Sequence, residues 1–436
     1  MRALYSLLWL LALPFVPLRL WWRGRREPGY RERIGERFGC YPRDAHTPRG
    51  AVLWVHAVSL GETRAAVPLV DRLHHAYPDA TVLVTHMTAT GRAAGRTLFG
   101  DRVVQAWLPY DVPFAVRGFL AHWNPRVALV METELWPNAI AIARESGIPV
   151  FLVNARMSER SAAGYARIPS VTRPMLASLS GVAAQSDADA TRLEALGAPA
   201  PTVTGNLKFD IGIPDSAAAL GRELRLRFGE ARPVWLAAST REGEEALILD
   251  AIAARGLPAT TLTVIVPRHP QRFAEVASLL RDRGVPFARR SDNAPVPADI
   301  DVVLGDSMGE MSGYCAAADV VFVGGSLLPL GGQNLIEPIA LGRPTLVGPH
   351  MFNFADATQK ALAVGAAFEV RNAGALAEAL RSLLQDPARR AELAKAALAF
   401  HTAHRGAAER LWQWLAPKLA ASGLERALPD ASSARD

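Results

Sequence analysis

Ala51-Val52-Leu53-Trp54-Val55-His56-Ala57-Val58-Ser59-Leu60-Gly61-Glu62 is an apolar run that stops at a histidine, turns through small residues and enters a helix-like segment. Ala51 to Val55 is continuously apolar instead of alternating, the pattern of a strand covered on both faces in a parallel sheet. The residues after such a strand lie at the mouth of the sheet, where α/β proteins carry reactive groups. Gly61 permits a tight approach of the chain, and Glu62 falls in the first turn of the helix, where the helix dipole favours a carboxylate. Read as structure alone, Glu62 is a first-turn charge and Ser59 a cap.

Outward from this stretch the same kind of run recurs at Thr81 to Thr85, Val127 to Met131, Val150 to Val153 and Gly181 to Ala184. A second series follows at Val234 to Ala238, Leu262 to Val266, Val302 to Leu304, Val320 to Val323 and Thr345 to Val347. Helical-looking segments separate the runs, which makes them βαβ units. Asn206 to Arg227, with Gly212, Pro214 and an Ala-rich turn, reads as the linker between the series. The fold expected is α/β of GT-B type: two doubly wound Rossmann-like domains facing a cleft, with an N-terminal membrane-anchoring segment. The expected division is an apolar anchor over 1–25, a first domain over 26–215, a second over 216–425 and a disordered tail over 426–436. The helical stretch Leu398 to Leu419 is a candidate to pack back on the first domain.

At 436 residues the chain is long for one core, and half of its residues being hydrophobic against 21% charged marks it as globular. The net charge of +6 fits an anionic membrane, nucleic acid or an acidic small substrate. Its distribution favours the membrane over a nucleic-acid polymer: Arg19, Arg23, Arg25, Arg26, Arg31, Arg33 and Arg37 follow directly on the apolar segment Ala3 to Trp22. That segment is long enough to span a bilayer, yet Pro14, Pro17 and Arg19 interrupt it, so spanning and interfacial readings both stand. No small-residue cleavage site follows it, which speaks against a removed signal peptide. Arginines after the segment put the remaining chain on the cytoplasmic side. Cys40 and Cys315 are the only cysteines, lacking the spacing of a metal site or a disulfide framework. There is no Walker A loop and no complete dinucleotide glycine motif, which removes the usual support for an ATPase or an NAD enzyme.

Met131-Glu132-Thr133-Glu134-Leu135-Trp136-Pro137-Asn138 puts two carboxylates and a tryptophan at the end of another strand. They are either functional groups sharing one side of an extended segment or the acidic approach to a helix begun by Pro137. Thr204-Gly205-Asn206-Leu207-Lys208-Phe209-Asp210 carries one of only four lysines among 48 basic residues. Lys208 is either a solvated linker residue or a compact ammonium that an arginine cannot replace. In the second half, the loops at Ser239 to Glu244, Pro267-Arg268-His269-Pro270, Gly305 to Met311 and Gly324-Gly325-Ser326 each close a strand with small or basic residues suited to a phosphate. Gly331-Gly332-Gln333-Asn334-Leu335-Ile336-Glu337-Pro338 adds a glycine turn into a helix start, with amides for phosphate and Glu337 for ribose hydroxyls. Asp187 and Asp189 form a D-x-D, read as capping and not as a metal site.

Together these motifs, in this order and spacing, resemble the Kdo (3-deoxy-D-manno-octulosonic acid) transferases of lipid A biosynthesis, glycosyltransferase family 30. The resemblance covers the apolar segment and both domains. It implies transfer of Kdo from CMP-Kdo to a lipid A precursor (lipid IVA) with inversion, at the cytoplasmic side of the inner membrane. It implies Glu62 as general base, transition-state roles for Glu132 and Lys208, and nucleotide binding by Arg268, His269, Gly309, Glu310, Met311, Asn334, Leu335, Ile336 and Glu337. No cofactor and no metal is expected. The sequence departs from the family after Pro-Arg-His, where Pro270 and Gln271 replace the usual acidic residue. The competing readings are another GT-B enzyme using a UDP-sugar and a lipid-linked acceptor, and a non-catalytic lipid A-binding scaffold.

Overall fold

The computed structural model describes residues 1–25, 27–41, 50–213 and 215–424. The chain divides into two compact units, Met1–Ile211 with the chain from Arg405 onward, and Gly212–His404. Arg26 and the expected tail over 426–436 lie outside the described residues.

The first unit is built on a seven-stranded parallel sheet: β1 (Val52–His56), β2 (Thr81–His86), β3 (Val104–Trp107), β4 (Pro125–Met131), β5 (Val150–Ala155), β6 (Gly181–Ala184) and β7 (Thr202–Val203), in the order β3-β2-β1-β4-β5-β6-β7. β1 is fully buried and flanked by β2 and β4. The chain runs from β1 to β2 on one side and returns to β4 on the other, so the order reverses between β1 and β4. A crevice opens outside the carboxyl ends of strands at such a reversal. The expected constellations around Glu62 and Glu132 follow those two strands.

The second unit repeats the plan with β8 (Val234–Thr240), β9 (Leu262–Pro267), β10 (Phe287–Arg289), β11 (Val302–Leu304), β12 (Val320–Val323), β13 (Thr345–Val347) and β14 (Phe368–Glu369), ordered β10-β11-β9-β8-β12-β13-β14. Here the order reverses between β8 and β12. Trp235, Ile265, Phe322 and Leu346 fill one face of this sheet, and Leu236, Val264 and Tyr314 the other.

The second domain, expected to run over 216–425, ends instead at His404. Helix Ala407–Ala421 sends Leu411, Trp412, Leu415 and Leu419 into the core of the first unit with Leu73, Val84 and Phe151. Asp210 fixes its start by accepting from the amides of Gly406 (2.6 Å) and Ala408 (2.5 Å).

The apolar N-terminus forms helix Arg2–Ala12, a 3-10 turn at Leu13–Phe15 and helix Val16–Arg23. Over Arg2–Arg23 it is long and apolar enough to cross a membrane, with a mean hydropathy of 1.7. Val16 and Leu20 pack with Tyr30, Trp107 and Tyr110. Leu4, Leu7, Leu8, Leu11, Phe15, Leu18 and Trp22 are exposed. The basic block does not act as one surface. Arg37 is buried, stacked 3.8 Å over the Trp107 ring, and burial lowers its guanidinium to about 10.

Candidate active site

Ser59 ends the turn after β1 and caps helix Leu60–Ala65, its Oγ accepting from the Glu62 amide at 3.4 Å. The Ser59 hydroxyl donates to Glu62 Oε1 (2.8 Å), and the Val58 amide donates to Glu62 Oε2 (2.9 Å). Serine and glutamate therefore form a reciprocal cap that fixes the carboxyl in one rotamer. The turn beneath is held by Thr88, whose hydroxyl donates to the Val58 carbonyl at 2.9 Å. It is also held close to Gly91, where an added Cβ would stand 2.8 Å from that carbonyl oxygen.

Glu132 follows β4 with φ +54°, a left-handed conformation that costs a non-glycine residue energy and is kept where the surroundings enforce it. Its amide donates to the Val153 carbonyl on β5 (3.1 Å), and its Oε1 lies 2.7 Å from Lys208 Nζ. Lys208 reaches it from the 3-10 turn Leu207–Asp210. Asn206 Oδ1 accepts from the Lys208 amide (3.0 Å) and Asn154 Oδ1 from the Leu207 amide (3.0 Å). The linker reading of Lys208 is thereby replaced: its side chain is 15% exposed and forms an ion pair with a carboxylate that is 13% exposed.

Burial, then the Glu132 and Glu134 carboxylates, push the Glu62 carboxyl up to about 8. Glu134 is raised by burial and by Glu132, against the Trp136 indole N–H that donates to its Oε2 at 3.0 Å. His56 is held neutral: burial and His86 lower it to about 3, and its Nδ1 meets Thr85 Oγ1 at 2.8 Å. Glu62 is therefore a carboxyl that exchanges its proton near neutrality, the property a general base requires. Below pH 8 it holds the proton, so turnover is expected to rise as pH increases through about 8, then level off. A pH profile of kcat/KM that stays flat from 6 to 9 contradicts Glu62 as base.

In the second unit the loops expected to hold a nucleotide are joined by their own hydrogen bonds. Arg268 Nε donates to Gln333 Oε1 (3.1 Å), and the Ser312 hydroxyl donates to Glu337 Oε1. Gly309 takes φ +81° ahead of Glu310, whose carboxylate is met by Arg290 (3.0 Å) and Ser307 (2.5 Å). Met311 opens helix Met311–Ala317. His269 is lowered by burial and by Arg268. Leu335 and Ile336 are buried, and the Ile336 amide is bonded to Asn334 Oδ1 (3.1 Å). Beyond Pro270, Arg272 forms a buried two-point pair with Glu245 (2.6 and 3.0 Å).

One expected phosphate loop is already occupied. The amides of Gly325 (2.5 Å), Ser326 (3.0 Å) and Leu327 (3.0 Å) all donate to Glu244, which also accepts from the Arg241 amide (2.9 Å). This buried carboxylate stands where a phosphate was expected and ties β8 to β12 at the sheet reversal. Glu244→Gln replaces an acceptor oxygen by a donor facing amides, and is expected to lower unfolding stability by about 2–4 kcal/mol in a urea titration. The D-x-D likewise serves structure: Asp189 Oδ1 accepts from the Met157 amide (2.7 Å) and Oδ2 from Ser186 (2.5 Å).

Several residues that shape the first-unit site escaped sequence reasoning, among them Thr88, Gly91, Asp111 and Asn154. Asn154 shares the left-handed backbone of Glu132 (φ +50° and +54°), a conformational signal with no trace in composition.

The model of the 3-deoxy-D-manno-octulosonic-acid transferase (kdotransferase) N-terminal family matches residues 32–211. A 3-deoxy-D-manno-octulosonic acid transferase from Bordetella pertussis is 47% identical over 430 residues, covering 95% of this chain and 99% of the relative. Its counterpart from Haemophilus influenzae is 38% identical over 424 residues, covering 96% and 99%. Among solved structures, Anabaena HepE in complex with UDP superposes with a TM-score of 0.58 at 16% identity, over 85% of this chain and all of that one. UDP-GlcNAc 2-epimerase from Neisseria meningitidis gives 0.60 at 16%, over 84% and all of it. These two show the fold alone, which is the GT-B type expected. The sequence relationships over nearly the whole length go further: the chain belongs to the 3-deoxy-D-manno-octulosonic acid transferases, a family of glycosyltransferases.

Proposed function

We propose that this chain transfers Kdo from CMP-Kdo to a sugar hydroxyl of a lipid A precursor (lipid IVA), with inversion, in lipopolysaccharide biosynthesis at the cytoplasmic face of the inner membrane. The observation that carries the reading is Glu62: a carboxyl held by Val58 and Ser59, raised to about 8 by burial and by the Glu132 and Glu134 carboxylates, the first of which is paired with Lys208. Glu62 takes the proton of the acceptor hydroxyl as its oxygen forms a bond to the anomeric carbon of Kdo. The bond from that carbon to the CMP phosphate oxygen breaks on the opposite side, and CMP leaves with the electron pair. Lys208, aligned by Glu132, answers the negative charge of the donor, and Arg268 with the loops at 309–311 and 334–337 binds the nucleotide. Charges fixed in place before reaction need no reorganisation when charge develops, which is where most of such a rate enhancement arises. The domain roles follow: residues 26–215 for the acceptor, and the second unit for the donor.

The membrane reading rests on the exposed apolar face of the N-terminal helices, flanked by Arg19, Arg23, Arg25 and Arg31. Thermal unfolding of the purified protein with CMP and with UDP tests the donor class. Stabilisation by CMP well beyond that by UDP is expected. Equal or greater stabilisation by UDP would replace this reading with that of a UDP-sugar enzyme.

A further inference from the structure

The N-terminal helix Arg2–Ala12 has two faces of different chemistry. Leu4, Leu7, Leu8 and Leu11 point to solvent at helical spacing and are 49% to 63% exposed. The other face carries Arg2, Tyr5 and Ser6 and packs on helix Pro137–Glu145. Arg2 pairs with Glu145 at 2.7 Å. Tyr5 lies within electrostatic reach of the buried Asp111 carboxylate. Ser6 Oγ accepts from Asn138 Nδ2 at 3.0 Å.

These contacts converge on the segment that presents Glu132 and Glu134. Helix Pro137–Glu145 begins directly after Trp136, and its start is held by Asp111, whose Oδ2 accepts from the Asn138 amide (2.9 Å) and Oδ1 from the Ala139 amide (2.7 Å). Asn138 Nδ2 also donates to the Asp111 carbonyl at 2.7 Å. Asp111 and Asn138 are each 1% exposed, so these bonds have no competition from water. Upstream, the same segment is pinned by the Glu132 amide on Val153. Residues 132–138 are thus a short bridge with one end on the sheet and the other on Asp111, Asn138 and the N-terminal helix.

We propose that Asp111 and Asn138 are positioning residues through which the N-terminal helix holds the Glu132–Trp136 segment in register, so that the helix supports catalysis as well as membrane attachment. The proposal rests on the reading of Glu62 and Glu132 given above. A misplacement of about 1 Å in such a segment is enough to lower turnover strongly. Because Glu62 responds to the Glu132 and Glu134 charges, a shift of the segment also changes the pH at which Glu62 releases its proton.

The test uses full-length protein, CMP-Kdo and the lipid acceptor dispersed in detergent micelles, where bilayer attachment is not needed. Co-sedimentation with phosphatidylethanolamine/phosphatidylglycerol vesicles is measured in parallel. Asp111→Asn is expected to sediment like the parent while kcat falls about tenfold with little change in KM, and the acid limb of its pH profile moves. Ser6→Ala, which removes the contact with Asn138 together with the hydroxyl's bond to the Arg2 carbonyl in its own helix, is expected to show the same pattern at about threefold. Leu8→Ser, on the outward face, serves as the reference for lost sedimentation. The proposal is overturned if Ser6→Ala and a folded Asp111→Asn keep parental kcat and acid limb. It is also overturned if they lose only sedimentation; should Asp111→Asn not fold, Ser6→Ala decides alone. Undiminished turnover in Glu62→Gln would instead remove the reading of the site on which the proposal stands.

Discussion

Replacing Glu62 by glutamine is expected to lower turnover about 10²–10⁴-fold, the usual contribution of a positioned general base. In free energy this is about 3–5 kcal/mol of lost transition-state stabilisation. Glutamine keeps the shape, and its amide oxygen can still accept from the Val58 amide, so the turn after β1 is expected to stay intact. CMP release with acceptor present gives the rate, and the thermal shift with CMP checks that donor binding is unchanged. Rates within threefold of the parent would remove Glu62 from the chemistry. The same variant no longer carries a buried acid with a raised pKa. A carboxyl raised in the folded state favours folding while protonated, and that advantage fades as pH rises from about 4.5 to about 8. Relative to the parent, Glu62→Gln should therefore gain melting temperature at pH 8.5 compared with pH 5.

Replacing Lys208 by methionine is expected to have the next largest effect, a fall in kcat of about 10²–10³-fold. The methylene stem survives but the ammonium is lost, and Glu132 is left with its charge uncompensated at a site 13% exposed. That charge then bears on Glu62 in full, so the acid limb of the pH profile should move to higher pH. Lys208→Arg keeps the charge but places it on a longer, planar group whose contact geometry differs from that of a compact ammonium, and is expected to restore kcat only in part. Combining Lys208→Met with Glu132→Gln separates stability from catalysis: the pair of changes removes the stranded charge and regains melting temperature, while turnover stays low. If the single variant keeps parental kcat, Lys208 is a structural residue.

The core of both sheets was legible in the sequence because of where its strands lie. Ten apolar runs were read as strands, from Ala51 to Val55 through Thr345 to Val347, and each lies on a strand of the two sheets. The four strands missed are β3, β7, β10 and β14, which are the two edges of each sheet. An edge strand is covered less completely and tolerates polar residues, so Val104–Trp107 and Phe287–Arg289 lack the continuous apolar signal. The return of the chain to the first domain was expected for Leu398 to Leu419 and is made by helix Ala407–Ala421, whose start, capped by Asp210 from far along the chain, no local pattern announces.

The site was legible in parts. Glu62, Glu132 and Lys208 stood out as charged groups at strand ends or as a rare lysine, and the structure brings Glu132 within electrostatic reach of Glu62 and pairs it with Lys208. The loop at Gly324-Gly325-Ser326 had the composition of a phosphate cradle, yet its amides are occupied by Glu244 from another loop. Composition reports which amides are able to approach an anion. Only the fold reports which anion reaches them first. Asp111 gave no signal because its contacts, with the amides at the start of helix Pro137–Glu145, join segments distant in sequence, and Asn138 was legible only as the end of its motif, without its bond to Ser6.

The most direct test of Kdo transfer is mass spectrometry of the lipid after the purified protein is incubated with CMP-Kdo and a lipid A precursor. The account predicts a lipid heavier by one or more Kdo residues, formed together with free CMP, and absent when Glu62→Gln replaces the parent. An unchanged lipid, or one modified only when a UDP-sugar is supplied, would contradict it.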